Sequence, residues 1–138
     1  MRRAIAYARV ALTNGDTPVG SLAVREGKVI AEGVESVKKK MGISAHAELI
    51  FIRNACFALR TFDLSGSVLY TTAEPCFMCS YAVRQTHISK VIIGRPTTGT
   101  GGISSRHSIL SDPRIAIWDQ PPDIASGILE AERLALYA

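Results

Sequence analysis

The first apolar pattern in the chain has helical period. Residues 2–13 carry Ile5, Val10 and Leu12 among their apolar positions, and Asn14-Gly15-Asp16 closes the run with turn chemistry. The pattern then shortens. Residues 19–24 and 28–33 predict two strands joined by a tight turn at Glu26-Gly27. Residues 35–44 are polar and predict a loop. Ser44 is a good N-cap for a helix running to about Leu59. Residues 67–72 form an apolar, β-leaning run that predicts a buried strand. Pro75 suits the first position of a second helix over residues 76–85. Val91, Ile92 and Ile93, in a row within residues 89–94, predict a strand covered on both faces, as in a parallel sheet. Residues 97–105 read as loop, 114–118 as a last strand, and Asp123 as the cap of a C-terminal helix. Strands alternating with helices predict a three-layer α/β domain over residues 1–138, with no repeat, low-complexity tract or dividing linker.

Composition narrows the class. The chain of 138 residues is 47% apolar and 20% charged, which supports a real core and excludes a disordered chain. No apolar run approaches the roughly 18–20 residues needed to cross a bilayer, and the N-terminus lacks a continuous signal core; the expectation is a cytoplasmic protein with no membrane partner. Three cysteines, two of them in a CxxC pair, favour metal or redox chemistry over a secreted disulfide framework. A net charge of +4 is a mild bias. Lys38-Lys39-Lys40 is the one tight basic cluster, readable as a solvated loop or as a phosphate or RNA contact.

The candidate chemistry lies in His46-Ala47-Glu48 and Pro75-Cys76-Phe77-Met78-Cys79. One imidazole and two thiolates are ligands zinc prefers. A structural zinc site takes four protein ligands, whereas a catalytic site takes three and keeps a position for water. No fourth ligand is obvious nearby, which favours a catalytic site; the alternatives are a structural site, or a redox pair beside an accidental HxE. Cys76 and Cys79, three apart, share one helix face, and His46 would come from another helix. Both helices start just before their ligands, so unpaired N–H groups and positive helix ends would face the metal and help keep the thiols ionised. Glu48, two positions from His46, can lean over the same open helix end and carry protons. Cys56 sits among Phe51, Ile52 and Phe57 as a core residue, and Glu74 reads as a structural hydrogen-bonding group. Trp118 reads equally as core or as a stacking wall for a flat substrate.

These residues resemble the zinc-dependent cytidine deaminase superfamily, whose signature is H-x-E with P-C-x-x-C. Asp16-Thr17-Pro18-Val19-Gly20 is similar to the entry into its first strand, and the likeness runs through nearly the whole chain. The branches most resembled are the tRNA adenosine deaminases and the guanine and cytosine deaminases. The resemblance implies a three-layer α/β/α cytidine deaminase-like fold with a central five-stranded mixed sheet, in a homodimer. It implies Zn²⁺ held by His46, Cys76 and Cys79, proton transfer by Glu48, and an Ala47 N–H facing the substrate. Two departures bear on the substrate. Glu35 stands where many relatives carry an asparagine that hydrogen-bonds the base; it is either a solvated carboxylate or a contact favouring a substrate that presents N–H groups. Thr97 stands where the tRNA enzymes often have an aspartate, and no basic helical tail follows Arg133, although Thr100-Gly101-Gly102 and Gly127-Ile128-Leu129-Glu130 are like the tRNA branch. The expectation is a hydrolytic deaminase of a small nucleobase-like heterocycle. The alternative is a tRNA-specific enzyme converting anticodon adenosine to inosine, with tRNA the less favoured partner.

Overall fold

The computed structural model describes residues 1–137. Small side chains set its first helix. α1 (Arg2–Thr13) buries Ala4, Ile5, Ala8 and Ala11, while Val10 and Leu12, expected on its apolar side, are 47% and 46% exposed. Alanine at these positions lets α1 lie directly on β1 (Gly20–Arg25), where a Cβ on Gly20 would strike the Ala4 carbonyl oxygen and come within 2.6 Å of the Ala8 nitrogen. β1 pairs antiparallel with β2 (Lys28–Val34) and with β3 (Val68–Ala73). β3 then pairs parallel with β4 (Lys90–Arg95), and β4 with β5 (Asp123–Ala125). The result is a five-stranded mixed sheet in the order β2-β1-β3-β4-β5.

Two helices cover one face of this sheet, α3 (Ala47–Leu59) and α4 (Phe77–Gln85). The larger core lies beneath them, where Phe51, Ile52, Ala55 and Val83 meet Ala23, Leu69, Val91 and Ile93 from the strands. Cys56 packs against this cluster, as its apolar neighbours suggest. A smaller cluster on α1 joins Ile5 and Ala8 to Leu136, at the end of the chain. The parallel strands β3 and β4 end on the same side, each in line with a segment that lines the cavity described below. Open α/β sheets place ligands at such carboxyl ends.

Five assignments differ from the sequence reading. The loop expected at residues 35–44 holds a short helix, α2 (Val37–Lys40), whose Lys38 and Lys39 N–H groups donate to the Asp16 carboxylate at 2.7 and 3.1 Å. Ser44 is not the cap of α3; His46 is, in extended conformation. Pro75 precedes the cap residue of α4, Cys76, and is not the first helical residue. Residues 114–118 form turns rather than a strand, and Asp123 opens β5 rather than capping a helix. The cause of the last is pairing. The Asp123 N–H reaches the Ser89 carbonyl at 3.0 Å, whereas Arg114 folds back on Asp112 and Ile117 stays 70% exposed. The last helix, α5 (Glu130–Leu134), starts after a left-handed Leu129 and runs into a 3₁₀ turn, Ala135–Tyr137.

Candidate metal centre and active site

His46 and Cys76 occupy equivalent places, each the N-cap of its helix with extended backbone (φ −70°, ψ 146° and φ −68°, ψ 179°). A cap residue projects its side chain past the helix end. Neither makes a side-chain cap bond to its own helix, and the two side chains face each other. Cys79 follows in the first turn of α4, on the side of Cys76. The three donors converge: His46 Nδ1 lies 3.6 Å from Cys76 Sγ and 3.5 Å from Cys79 Sγ, and all three ligand atoms fall within 4.8 Å of one another.

That spacing tests the fit of a metal. With zinc–nitrogen near 2.0–2.1 Å and zinc–sulfur near 2.3 Å, a tetrahedral ion separates imidazole nitrogen from sulfur by about 3.5 Å. The donors sit at corners of such a tetrahedron, and they form a potential zinc site. Electrostatics agree. Without a cation the three groups share protons: the Cys76 thiol is drawn down to about 4 by hydrogen bonds from Cys79 and then from His46. The Cys79 thiol is pushed up by the same contact with Cys76 and by burial. The His46 imidazole is raised to about 9 by its bond to Cys76. A divalent cation replaces those protons and lets both sulfurs ionise.

Glu48 lies beside this triad. It is 3% exposed, its Oε2 is 3.6 Å from Cys79 Sγ, and its Oε1 is 2.8 Å from the Thr71 hydroxyl. Thr71 in turn accepts the Ser21 hydroxyl at 3.1 Å, so a buried relay from two strands fixes the carboxyl group. Burial pushes the Glu48 carboxyl above its ordinary range, against the Thr71 hydrogen bond that lowers it. A carboxyl group so held can both give and take a proton.

Glu35 faces the same cavity rather than bulk solvent. It is 7% exposed, and its Oε2 accepts the Ala47 N–H at 2.8 Å. The Ala47 N–H, expected to face a substrate, is thus taken by a carboxylate at the start of α3. Burial holds Glu35 up at about 7, against that hydrogen bond, and the charge of Glu48 adds to the shift. Glu74 is the structural group it resembled. Its oxygens accept N–H bonds from Thr97 (2.9 Å), Ile103 (2.7 Å) and Ser104 (2.8 Å) and the Ser104 hydroxyl (2.7 Å). Burial alone would raise it, but these bonds hold it below its ordinary value. The loop can wrap the carboxylate because residues 101 and 102 are glycines. A Cβ on Gly101 would strike Glu74 Oε1, and one on Gly102 would strike Ser80 Oγ.

A cavity of about 370 Å³ opens over the triad, lined by His46, Glu48, Cys76 and Glu35 at one part and by Thr97, Thr98, Thr100, Arg95 and Arg133 among the rest. Trp118 is not on its wall; the indole packs edge-on to Tyr81 at 5.4 Å and bonds Gln85. His87 and His107 also lie outside it. The sequence reading missed Thr71, Ser21 and Arg133. Thr71 and Ser21 carried a readable signal, as hydroxyls at inward positions of strands that otherwise bury apolar residues. Arg133 carried none.

The chain matches the family model described as "Cytidine and deoxycytidylate deaminase zinc-binding region" over residues 1–95. It is 39% identical over 115 residues to a tRNA-specific adenosine deaminase of Aquifex aeolicus (strain VF5), covering 83% of this chain and 76% of that one. A solved structure from a study of A-to-I editing by tRNA:A34 deaminases superimposes with a TM-score of 0.90 at 33% identity, covering 99% of this chain and 96% of that one. A guanine deaminase structure from Bacillus subtilis superimposes with a TM-score of 0.66 at 34% identity, over 69% of this chain and 61% of that one.

Proposed function

Because the chain belongs to the cytidine and deoxycytidylate deaminase family and is a zinc-dependent deaminase, we propose that it deaminates adenosine to inosine in a tRNA anticodon. The observation that supports RNA over a free base is the 33% identity, held over 99% of the chain, to a structure from a study of tRNA:A34 deaminases. Guanine deaminase structures match either over 69% of the chain at 34% identity or over 98% of it at 21%, where the likeness is one of fold alone. The sequence expectation ranked these substrates the other way, on Glu35, Thr97 and the missing basic tail. Those are single positions, set against an identity above 30% to tRNA deaminases along nearly the whole sequence.

In this reading His46, Cys76 and Cys79 hold Zn²⁺, which when bound supplies the Lewis acidity that makes water a nucleophile near neutral pH. Glu48 takes the proton from the attacking water. Its Oε1 stays on Thr71 while Oε2, on the triad side, passes that proton to the ring nitrogen beside the reacting carbon. Glu48 then moves the proton of the added hydroxyl to the exocyclic amino group, the carbon–nitrogen bond breaks and ammonia leaves: adenosine and water give inosine and ammonia. Glu35 fixes the start of α3 through the Ala47 N–H and presents its other oxygen to the base. A second copy of the chain is the expected partner, covering apolar side chains such as Phe57 and Phe62, which are 74% and 84% exposed.

Incubating the zinc-loaded protein with a tRNA transcript carrying adenosine at the wobble position, beside a panel of free bases and nucleosides, tests the substrate. Inosine in the tRNA is the expected product. Ammonia from guanine or cytosine, with the tRNA untouched, would return the small-base reading to first place.

A further inference from the structure

Arg133 is a buried cation that the mechanism above does not use. It lies on α5, is 3% exposed, and lines the cavity over the triad. Its Nε donates to the Thr72 carbonyl at 3.2 Å, on the strand whose end leads to Cys76. Its Nη2 donates to the Tyr137 hydroxyl, and its guanidinium carbon lies 4.4 Å from the centre of the Tyr137 ring. Among the described residues no carboxylate comes within ion-pair distance of it, and Nη1 has no hydrogen-bond partner.

Burying a guanidinium without an anion is costly, and leaving one of its nitrogens unpaired adds to the cost. Such a group persists where something outside the chain completes it. The fixed plane, held on one edge by β3 and on one face by Tyr137, is preorganised for a planar fork contact, and a guanidinium matches phosphate oxygens in that way. Arg95 and the hydroxyls of Thr17, Thr98 and Thr100 line the same cavity and add donors. Of the carboxylates lining this cavity, Glu74 is engaged by three N–H groups and a hydroxyl, Glu35 by the Ala47 N–H and Glu48 by the Thr71 hydroxyl. Tyr137, 51% exposed, lies over the guanidinium, so its displacement uncovers the fork.

We propose that Arg133 is a specificity-determining residue whose guanidinium, with Arg95, takes a phosphate group attached to the reacting nucleoside. This rests on the nucleoside reading above and deepens it. The phosphate has two possible sources, an RNA backbone linkage beside the target or the phosphate of a free mononucleotide.

The test compares wild type with Arg133→Met, both checked for zinc content and melting temperature. Substrates are adenosine, adenosine 5′-monophosphate, and an anticodon stem-loop carrying an uncharged methylphosphonate at either flank of the target. The substitution should raise KM for the stem-loop about tenfold or more and leave that for adenosine unchanged. One neutral linkage should cost wild type a similar factor and cost the variant nothing. An equal loss on adenosine and stem-loop, or equal penalties for the neutral linkages in both proteins, overturns the assignment. If wild type leaves RNA untouched, the tRNA reading falls by itself. The phosphate assignment is then decided by the mononucleotide: a preference for it over adenosine that vanishes in the variant supports a free nucleotide, and no preference overturns the assignment. Should Arg133→Met not fold, wild type decides, because tolerance of neutral linkages at both flanks removes the need for the guanidinium.

Discussion

Glu48 and Glu35 are two carboxyl groups on one cavity wall with different partners. Glu48 is pinned by a strand hydroxyl beside the sulfur ligands, and Glu35 is pinned by a helix N–H. In the proposed reaction the first carries the proton. Glu48→Gln keeps the shape and the zinc but cannot accept a proton, so turnover should fall by about 10²–10⁴-fold or more with metal content unchanged. Zinc analysis beside an ammonia or inosine assay checks this, and a variant of near-normal rate would remove Glu48 from the chemistry. Glu35 makes a prediction about pH. Its carboxyl is raised from an ordinary value of 4.5 to about 7, so between these values the folded protein holds a proton that the unfolded chain releases. The stability this contributes is complete below 4.5 and is lost as pH rises through 7. Thermal melts of wild type and Glu35→Gln from pH 5 to 8 should therefore converge or cross with rising pH in the variant's favour. A constant gap would mean that Glu35 does not titrate in this window.

At the scale of elements, the site exists because two helix starts meet. α3 brings His46 and Glu48, α4 brings Cys76 and Cys79, and β3 supplies Thr71 behind them. The position of α3 depends on one absent side chain. A Cβ on Gly33 in β2 would strike the Ala47 carbonyl and lie 2.9 Å from the Phe51 nitrogen, both backbone atoms of α3. Gly33→Ala must lift the first turn of that helix. We expect a loss of about 1–3 kcal/mol of stability, in the range of overpacked interiors. Zinc retention should weaken along with it, because His46 rides on that turn. Denaturant titration with a zinc-binding assay measures both, and a stability loss with metal affinity intact would show that the helix start is fixed by something other than the strand.

For the whole molecule, a metal held at this site would couple to the fold. The ligands come from segments 30 and 33 residues apart in sequence, so holding them together restrains much of the chain. Chelation should lower the melting temperature of wild type by about 10 °C, since a ligand at 1,000 times its dissociation constant contributes about 4 kcal/mol. Cys76→Ala should melt near the chelated protein and respond little to the chelator. Equal melting of chelated and zinc-loaded wild type would separate metal from fold. Only at this scale does the 33% identity to a structure from a study of tRNA:A34 deaminases, held over 99% of the chain, count against single positions such as Thr97.

The donor set of the potential zinc site, the carboxyl group beside it and the alternation of strands and helices were legible in the chain itself, because metal chemistry fixes donor types and their spacing within one helical turn. The folding pattern of Val91-Ile92-Ile93 was legible for the same kind of local reason. Other features depended on partners distant in sequence. Residues 114–118 look like a strand but find no neighbour, while the three residues of β5 qualify because Ser89 and β4 lie alongside. Ser44 is a good cap in isolation, yet His46 takes the cap because its ring must reach α4. The relay from Ser21 through Thr71 to Glu48, and the guanidinium of Arg133 over the same cavity, join residues 23 or more positions apart. Composition and period report what each residue prefers; which groups share a pocket is decided when the sheet and its helices close around it.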